Sequence, residues 1–381
     1  MPSPRPTRAE VDLDALRHNL EQVRNLVGPQ REILAVVKAD AYGHGAVVIG
    51  RALGRWGIRF FGVATVEEGM ELRRSGLQGS ITVLGGVFPE QFPQLLEYGL
   101  TPTLYRLEWA DKLSAMGEAR GEKIPVQVKI DTGMGRLGIL CTGAVDTVEK
   151  MGHLPGLDLA GIFSHFAFAG LEDRSFVQEQ LACLLELKGA LMERNIDVPL
   201  WHLSNSGAVI DFPASLFNMV RPGIMLYGYP PSSALEGKSD LKPVLSWRTR
   251  IVHLKKVPAE TPLSYNHTYR TRRESLIATL PVGYADGYSR RLSNRAEVLV
   301  RGRRAPLVGR VTMDMVLIDV TDIDLAAVGD EVTLLGRDGD DRITAVELGR
   351  WADTIAYDVL CGIGRRVPRF YKGTETPGQP G

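Results

Sequence analysis

Cysteine is scarce: Cys141, Cys183 and Cys361 are the three in 381 residues, odd in number and widely spaced. Such a set makes no disulfide framework, and no CxxC or HExxH spacing offers a zinc site. An excess of one charge is also lacking, since 45 Lys and Arg meet 45 Asp and Glu. A balanced chain presents no global field to nucleic acid or an anionic membrane. The Arg clusters at 270–273 and 301–304 read as solvated faces. No apolar run approaches the roughly 18 residues of a membrane span, and the opening MPSPRPTRAEVDLD has no apolar signal core. These absences set the expectation of a soluble, cytoplasmic protein with no metal, no membrane and no nucleic-acid partner.

What the chain does have is an ordinary globular balance, 44% hydrophobic and 24% charged, which excludes wholesale disorder. Glycine is abundant, 41 residues against the about 7% usual in proteins, and suggests many tight strand-to-helix turns. From Ile33 onward, short apolar runs alternate with amphipathic ones. ILAVVK (33–38) is continuous and β-branched, as a parallel strand buried on both faces must be. FFGVAT (60–65), SITVLG (80–85), TPTLY (101–105), PVQVKI (125–130), LAGIFSHF (159–166), LWHLSNS (200–206) and MVRPGIMLYG (219–228) follow. Eight strand–helix units predict an N-terminal (β/α)8 TIM-type barrel, with a doubly wound open sheet as its rival. The Pro- and Ser-rich stretch 230–243 reads as a linker. Beyond it come strand runs and turns with one short helix at 345–353, so the predicted division is a barrel over 1–240 and a mostly-β domain over 241–381. The tail TETPGQPG is expected to fray.

Catalytic groups of a parallel barrel sit where its strands end. Lys38 closes the first strand, Lys129 lies in the fifth with Arg136 beyond it, and His165 ends the sixth. Asn205 and Ser206 end the seventh, and Arg221 interrupts the eighth before Gly223 and Ile224. One lysine at a strand mouth is more often a snorkelling cation than a nucleophile. Together these residues outline a cationic cavity without a metal-ligand cluster, suited to an anionic ligand. A part-buried lysine beside other cations becomes a usable amine nucleophile, and an amine with an anion cradle is what pyridoxal phosphate requires. The GxGxxG string at 133–138 is a weak dinucleotide signal, because it stands in the fifth unit and Arg136 enters its turn. RDGDD (337–341) lacks calcium-loop spacing and reads as a hairpin turn.

VVKADAYGHG (36–45) resembles the pyridoxal-phosphate lysine motif of the alanine racemase family. The resemblance continues through KIDTGMGRLG (129–138), SHF (164–166), HLSNSGA (202–208), VRPGIMLYG (220–228), SYNHTY (264–269), LPVGYADGY (280–288), GRVTMDM (309–315) and CGIGRRVPR (361–369). It implies a fold-type III enzyme, a barrel joined to a β domain in a head-to-tail homodimer that shares its active sites. The implied activity is an isomerase interconverting L- and D-alanine in D-alanine biosynthesis, with pyridoxal 5′-phosphate as cofactor. By the same resemblance Lys38 is the Schiff-base lysine and one base, and Tyr265 from the other subunit is the base on the opposite face of the substrate Cα. Arg221 meets the pyridine nitrogen, and His165 links Arg221 to Tyr265. Tyr42, Asn205, Ser206, Gly223, Ile224 and Tyr357 serve the cofactor. Arg136, the Met313 amide and Tyr284 serve the substrate, and Lys129 is a carbamylation site.

A tyrosine of pKa about 10 is a poor base unless cations favour its phenolate, and an Arg221–His165–Tyr265 chain would supply that field. Arg221 also cannot readily give up its proton, which would leave the ring nitrogen largely unprotonated. That argues for a racemase over a decarboxylase, whose family uses an acid there. Tyr269, Tyr284 and Tyr288 compete with Tyr265 for the base role, and spacing does not decide between them. Asn266 stands where Gly is frequent, Thr312 where Cys is common, and AFAGLEDRS (167–175) departs from the family pattern. A broad-specificity racemase acting on serine or basic amino acids is the nearest alternative. A non-catalytic pyridoxal-phosphate carrier is more distant, since carriers lack the β domain, and a NAD-linked oxidoreductase is the remainder.

Overall fold

A computed structural model describes residues 5–167 and 174–373. The tail 374–381 and most of AFAGLEDRS lie outside the described residues. The described residues divide into two compact units, one lying within 16–41 and 46–242, the other within 5–15, 42–45 and 243–373.

The first strand, β1 (Arg8–Asp12), belongs to the second of these units. Eight strands of the other unit follow in parallel: β2 (Glu32–Val36), β3 (Phe60–Val63), β4 (Ser80–Val83), β5 (Thr101–Leu104), β6 (Ile124–Asp131), β8 (Leu157–Phe163), β9 (Leu200–His202) and β10 (Met219–Val220). A two-residue β7 (Ile139–Leu140) runs beside the end of β6. Neighbours pair in order from β5 back to β2, then β10, β9, β8 and β6, and β5 pairs with β6 to close the ring. This is the expected barrel, and closure excludes the open sheet. The apolar runs dictate it: β2, β3 and β4 are buried after their first residue, and the strands carry Val, Ile and Leu to both faces.

The last two strands are shorter than the sequence suggests. The run expected to extend to Ser206 stops at His202, because the Asn205 side chain accepts from the Gly207 and Ala208 amides (3.0 and 3.1 Å) and starts the helix Ser206–Asp211. The run expected over 219–228 stops at Val220, ahead of Pro222, and becomes a 3₁₀ turn at Ile224–Tyr227.

A cysteine expectation also changes. Cys141, just past β7, and Cys183, on the helix Ser175–Glu193, are joined as a disulfide with Cα atoms 6.4 Å apart. Their 42-residue separation hid the contact, which exists because the loop after β6 returns alongside that helix. Cys361 is free and exposed.

The other unit is mostly strand. β11 (Leu245–Arg250) pairs with β1 and with β19 (Glu331–Asp338), and β21 (Arg369–Lys372) pairs with β1 in parallel. β16 (Glu297–Val300), β17 (Arg303–Pro306) and β20 (Asp341–Ile343) complete this sheet. β12 (His253–Val257), β15 (Ser275–Leu280) and β18 (Val316–Asp319) form a second, and β13 (Pro262–Leu263) with β14 (Tyr269–Arg270) a hairpin. The expected helix is present at Ala345–Ala352.

Candidate active site

Lys38 follows β2 at the carboxyl end of the barrel, where the Val37 amide still donates to Gly62 (2.9 Å). The next residues form one turn, Lys38–Gly43, of left-handed helix: Ala39, Asp40, Ala41 and Tyr42 all have φ of 52–54°. Each L-residue in that conformation costs about 1–2 kcal/mol. The turn is held by the Ala41 amide donating to Val37 (2.9 Å), by Glu68 accepting from the Ala39 amide (2.6 Å), and by Asp40 accepting from the Ala46 amide (2.7 Å). The other Glu68 oxygen accepts from the Ala64 amide (2.7 Å). Glu68 thus completes a capping box with Thr65 on the helix Val66–Arg74 and positions the residue after Lys38. The sequence reading missed Glu68, although Thr65-x-x-Glu68 is the signature that could have found it.

Arg221, 4% exposed, lies among acceptors that are all uncharged. Its Nη1 donates to His202 Nδ1 and to the His202 carbonyl, both at 2.9 Å. Nη2 donates to the carbonyls of Ser164 (2.6 Å) and Leu203 (3.1 Å) and to His165 Nδ1 (3.3 Å). Burial lowers its pKa to about 9, so the guanidinium remains charged at neutral pH. Burial, with Arg221 next, pushes His165 and His202 well below the usual histidine range, and both rings are neutral.

Lys129 and Arg221 approach the Phe163 ring at 5.3 and 5.2 Å from its centroid. Burial and then Arg221 bring the Lys129 pKa down to about 7, while its Nζ donates to the Ile130 carbonyl (2.8 Å). Beyond it, the amides of Gly133 and Gly135 donate to Asp131 (2.9 and 3.1 Å). Burial alone would raise the Asp131 pKa, and these amides bring it below the usual value instead. The GxGxxG amides therefore face a carboxylate of their own chain, which removes the dinucleotide reading. Arg136 in this loop is exposed.

Ser206 is buried, and its Oγ accepts from the amides of Gly223 (2.9 Å) and Met225 (3.4 Å), fixing Gly223 and Ile224 against it. The seventh and eighth strand ends are thereby brought together as expected, with Asn205 acting as the helix cap. Lysine amine, guanidinium, neutral imidazoles and a serine-centred cradle form a donor set that fits a pyridine ring bearing an aldehyde and a phosphate. Among the described residues no group of three His, Cys, Asp or Glu could hold a metal ion.

In the β-rich unit, the rings of Tyr42 and Tyr357 lie 5.9 Å apart, and burial raises both phenol pKa values. The four candidate tyrosines separate by environment. Tyr288 is fully buried edge-on against Trp247, and Tyr269 packs on the cluster of Val257, Leu263, Ile277 and Val308. Tyr265 and Tyr284 are 69% and 43% exposed. The backbone around Tyr265 is left-handed at Ser264, Asn266 and His267, so Asn266 does occupy a positive-φ position. Tyr284 is tied to the Met313 segment through its amide donating to Thr312 (3.0 Å) and that of Ala285 donating to Met313 (3.0 Å). Gly283 is required there, since a Cβ would meet the Met313 carbonyl carbon and oxygen at 2.3–2.4 Å.

Residues 11–231 match the family model for the alanine racemase N-terminal domain, and residues 244–371 that for the C-terminal domain. The alanine racemase of Halothermothrix orenii is 49% identical over 97% of each chain. Among solved structures, the alanine racemase of Clostridium difficile 630 superposes with a TM-score of 0.94 at 37% identity, over 99% of this chain and 98% of that one. That of Bacillus anthracis with bound L-Ala-P gives 0.92 at 36%, over 99% and 97%.

Proposed function

The chain belongs to the alanine racemase family, pyridoxal 5′-phosphate enzymes that interconvert L- and D-alanine, and on that premise we propose that Lys38 and Tyr265 exchange the α-proton on opposite faces of the substrate Cα. The observation that carries the choice of tyrosine is the 69% exposure of Tyr265, against 43% for Tyr284, partial burial of Tyr269 and full burial of Tyr288. An exposed tyrosine is also what a base supplied to the other subunit of a homodimer must be.

The cofactor, when bound, would supply a sink for the electron pair left at Cα on loss of its proton. The remaining work falls to side chains. Lys38 accepts or delivers the proton on one face, and Tyr265 of the partner subunit does so on the other. Arg221 would face the ring nitrogen as a fixed cation that keeps its own proton, which would limit the electron density drawn into the ring and disfavour side reactions. The His165 Nδ1 lone pair accepts from Arg221, leaving Nε2–H to face the Tyr265 phenol and favour its ionised form. Tyr42, Ser206, Gly223, Ile224 and Tyr357 would hold the phosphate, with Asn205 placing Ser206. Arg136, the Met313 amide and Tyr284 hold the substrate. Lys129, with a pKa of about 7, presents the neutral amine that adds carbon dioxide, and its carbamate orients Arg136. The family models leave only residues 232–243 between them, which supports a division at 240/241. The role is D-alanine supply in the cytoplasm.

Chiral separation after incubating L-alanine with protein and cofactor should show D-alanine rising to a near-equal mixture. Lys38→Ala should lose turnover together with the visible absorption of bound cofactor. Tyr265→Phe should keep that absorption and lose most α-proton exchange of L-alanine into deuterated water. Undiminished exchange would move the role to Tyr284.

A further inference from the structure

Gln127 lies in β6, inside the barrel and 2% exposed, and its Oε1 stands 3.1 Å from Nε2 of the fully buried His202. The opposite ring nitrogen, Nδ1, meets Arg221 Nη1 at 2.9 Å. A guanidinium only donates, so Nδ1 must carry the lone pair and the imidazole proton must sit on Nε2. Gln127 then accepts through its carbonyl oxygen. A buried glutamine is costly unless its polar atoms are used, and the barrel makes room for this one. Gly161 pairs with Gln127 across the β6–β8 ladder, and a Cβ at Gly161 would come within 2.3 Å of Gln127 Oε1. The Phe163 ring stacks on His202 at 4.9 Å and 13°, which fixes the imidazole plane.

Both Nη1 bonds of Arg221 end on His202, at Nδ1 and at the carbonyl. The aim of that arm of the guanidinium therefore depends on which nitrogen of one imidazole is protonated. We propose that Gln127 is a positioning residue for Arg221, holding His202 in the Nε2–H tautomer that alone can accept from the guanidinium. The proposal rests on the reading that Arg221 faces the cofactor's ring nitrogen. Without carbon dioxide on Lys129, the charged groups acting on His202 are Arg221 and Lys129, both cationic when protonated, and both hold it neutral. No described carboxylate opposes them there, and a new one at position 127 would reverse the balance.

The test uses the whole protein labelled with ¹⁵N-histidine, first without cofactor, the His202 signals being assigned by loss in His202→Asn. Wild-type His202 should be the neutral Nε2–H tautomer throughout pH 6–9. In Gln127→Glu it should be imidazolium at pH 7. With cofactor, that variant should lose about tenfold in kcat with KM for alanine within about twofold, an energy near 1.4 kcal/mol. Its activity should recover toward high pH along an ionisation absent from wild type. Gln127→Met, whose thioether is only a weak acceptor, should show mixed tautomers and a smaller loss in kcat, with circular dichroism of both variants unchanged. Wild-type His202 protonated at Nδ1, or neutral in Gln127→Glu, would overturn the proposal. So would an imidazolium form with unaltered turnover, because the aim of Arg221 would then be independent of His202. Failure of the wild-type holoenzyme to racemise alanine would instead remove the reading of the site and leave the ¹⁵N result standing.

Discussion

The barrel mouth and the seven-stranded sheet of the β-rich unit each hold a many-bonded arginine, and the two are treated in opposite ways. Arg304 in β17 reaches Asp341 (2.7 Å), Glu347 (2.7 Å) and Glu297 (3.1 Å), and the hydrogen bond to Asp341 leads in raising its pKa. It cross-links two strands and a helix, and its charge is cancelled where it stands. Arg221 has as many hydrogen bonds but no described anionic partner, and its pKa falls. Carbonyls and imidazole nitrogens satisfy its N–H groups without neutralising it. Buried charge is expensive, so a fold that retains it uncancelled keeps that field for a ligand. Stability governs the first arginine and chemistry the second.

The same conservative change at both positions sharpens the contrast. Arg221→Lys replaces a fork with a point donor that cannot span acceptors on both sides. Turnover should fall by about 10²–10³-fold, roughly 3–4 kcal/mol of barrier. Next comes Lys129, whose pKa is lowered first by burial and then by the Arg221 charge, with Asp131 opposing them. Between pH about 7 and the unfolded value of 10.5, the unfolded chain binds a proton that the folded one does not, so stability rises with pH. In carbon-dioxide-free buffer the rise should be about 2–4 kcal/mol by urea denaturation, and Lys129→Met should abolish it. A flat wild-type curve would break the comparison. Arg304→Lys should cost about 1 kcal/mol of stability and leave turnover within about twofold. Smallest is Ala39→Gly, which relieves a left-handed position. It should stabilise by about 0.5–1 kcal/mol, where the same change in a right-handed helix destabilises.

Barrel and β domain were legible because parallel strands buried on both faces leave continuous β-branched runs, and antiparallel strands leave short ones between turns. Lys38, His165, Ser206 and Arg221 were legible as polar residues closing such runs. The left-handed turn was not, because Ala39 to Tyr42 contain no glycine and are held by Glu68 from a neighbouring helix. Gln127 and His202 were silent as well, since each looks like core filling until strand register sets Gly161 opposite Gln127 and Phe163 opposite His202. Cys141 with Cys183 and β1 with β11 share that cause: their partners are fixed by tertiary return of the chain, and no local pattern encodes it.

β1 carries a consequence in time. Its residues Arg8–Asp12 pair on one side with Leu245–Arg250 and on the other with Arg369–Lys372. A ribosome adding about 5–20 residues per second needs roughly 12–45 s to travel from β1 to its first partner, and longer to reach the second. For that interval β1 is a strand with two open edges. The sheet that holds β1 can be completed only after Arg369–Lys372 have been made, so a ribosome that stalls after the barrel is synthesised leaves β1 exposed to pairing with other chains.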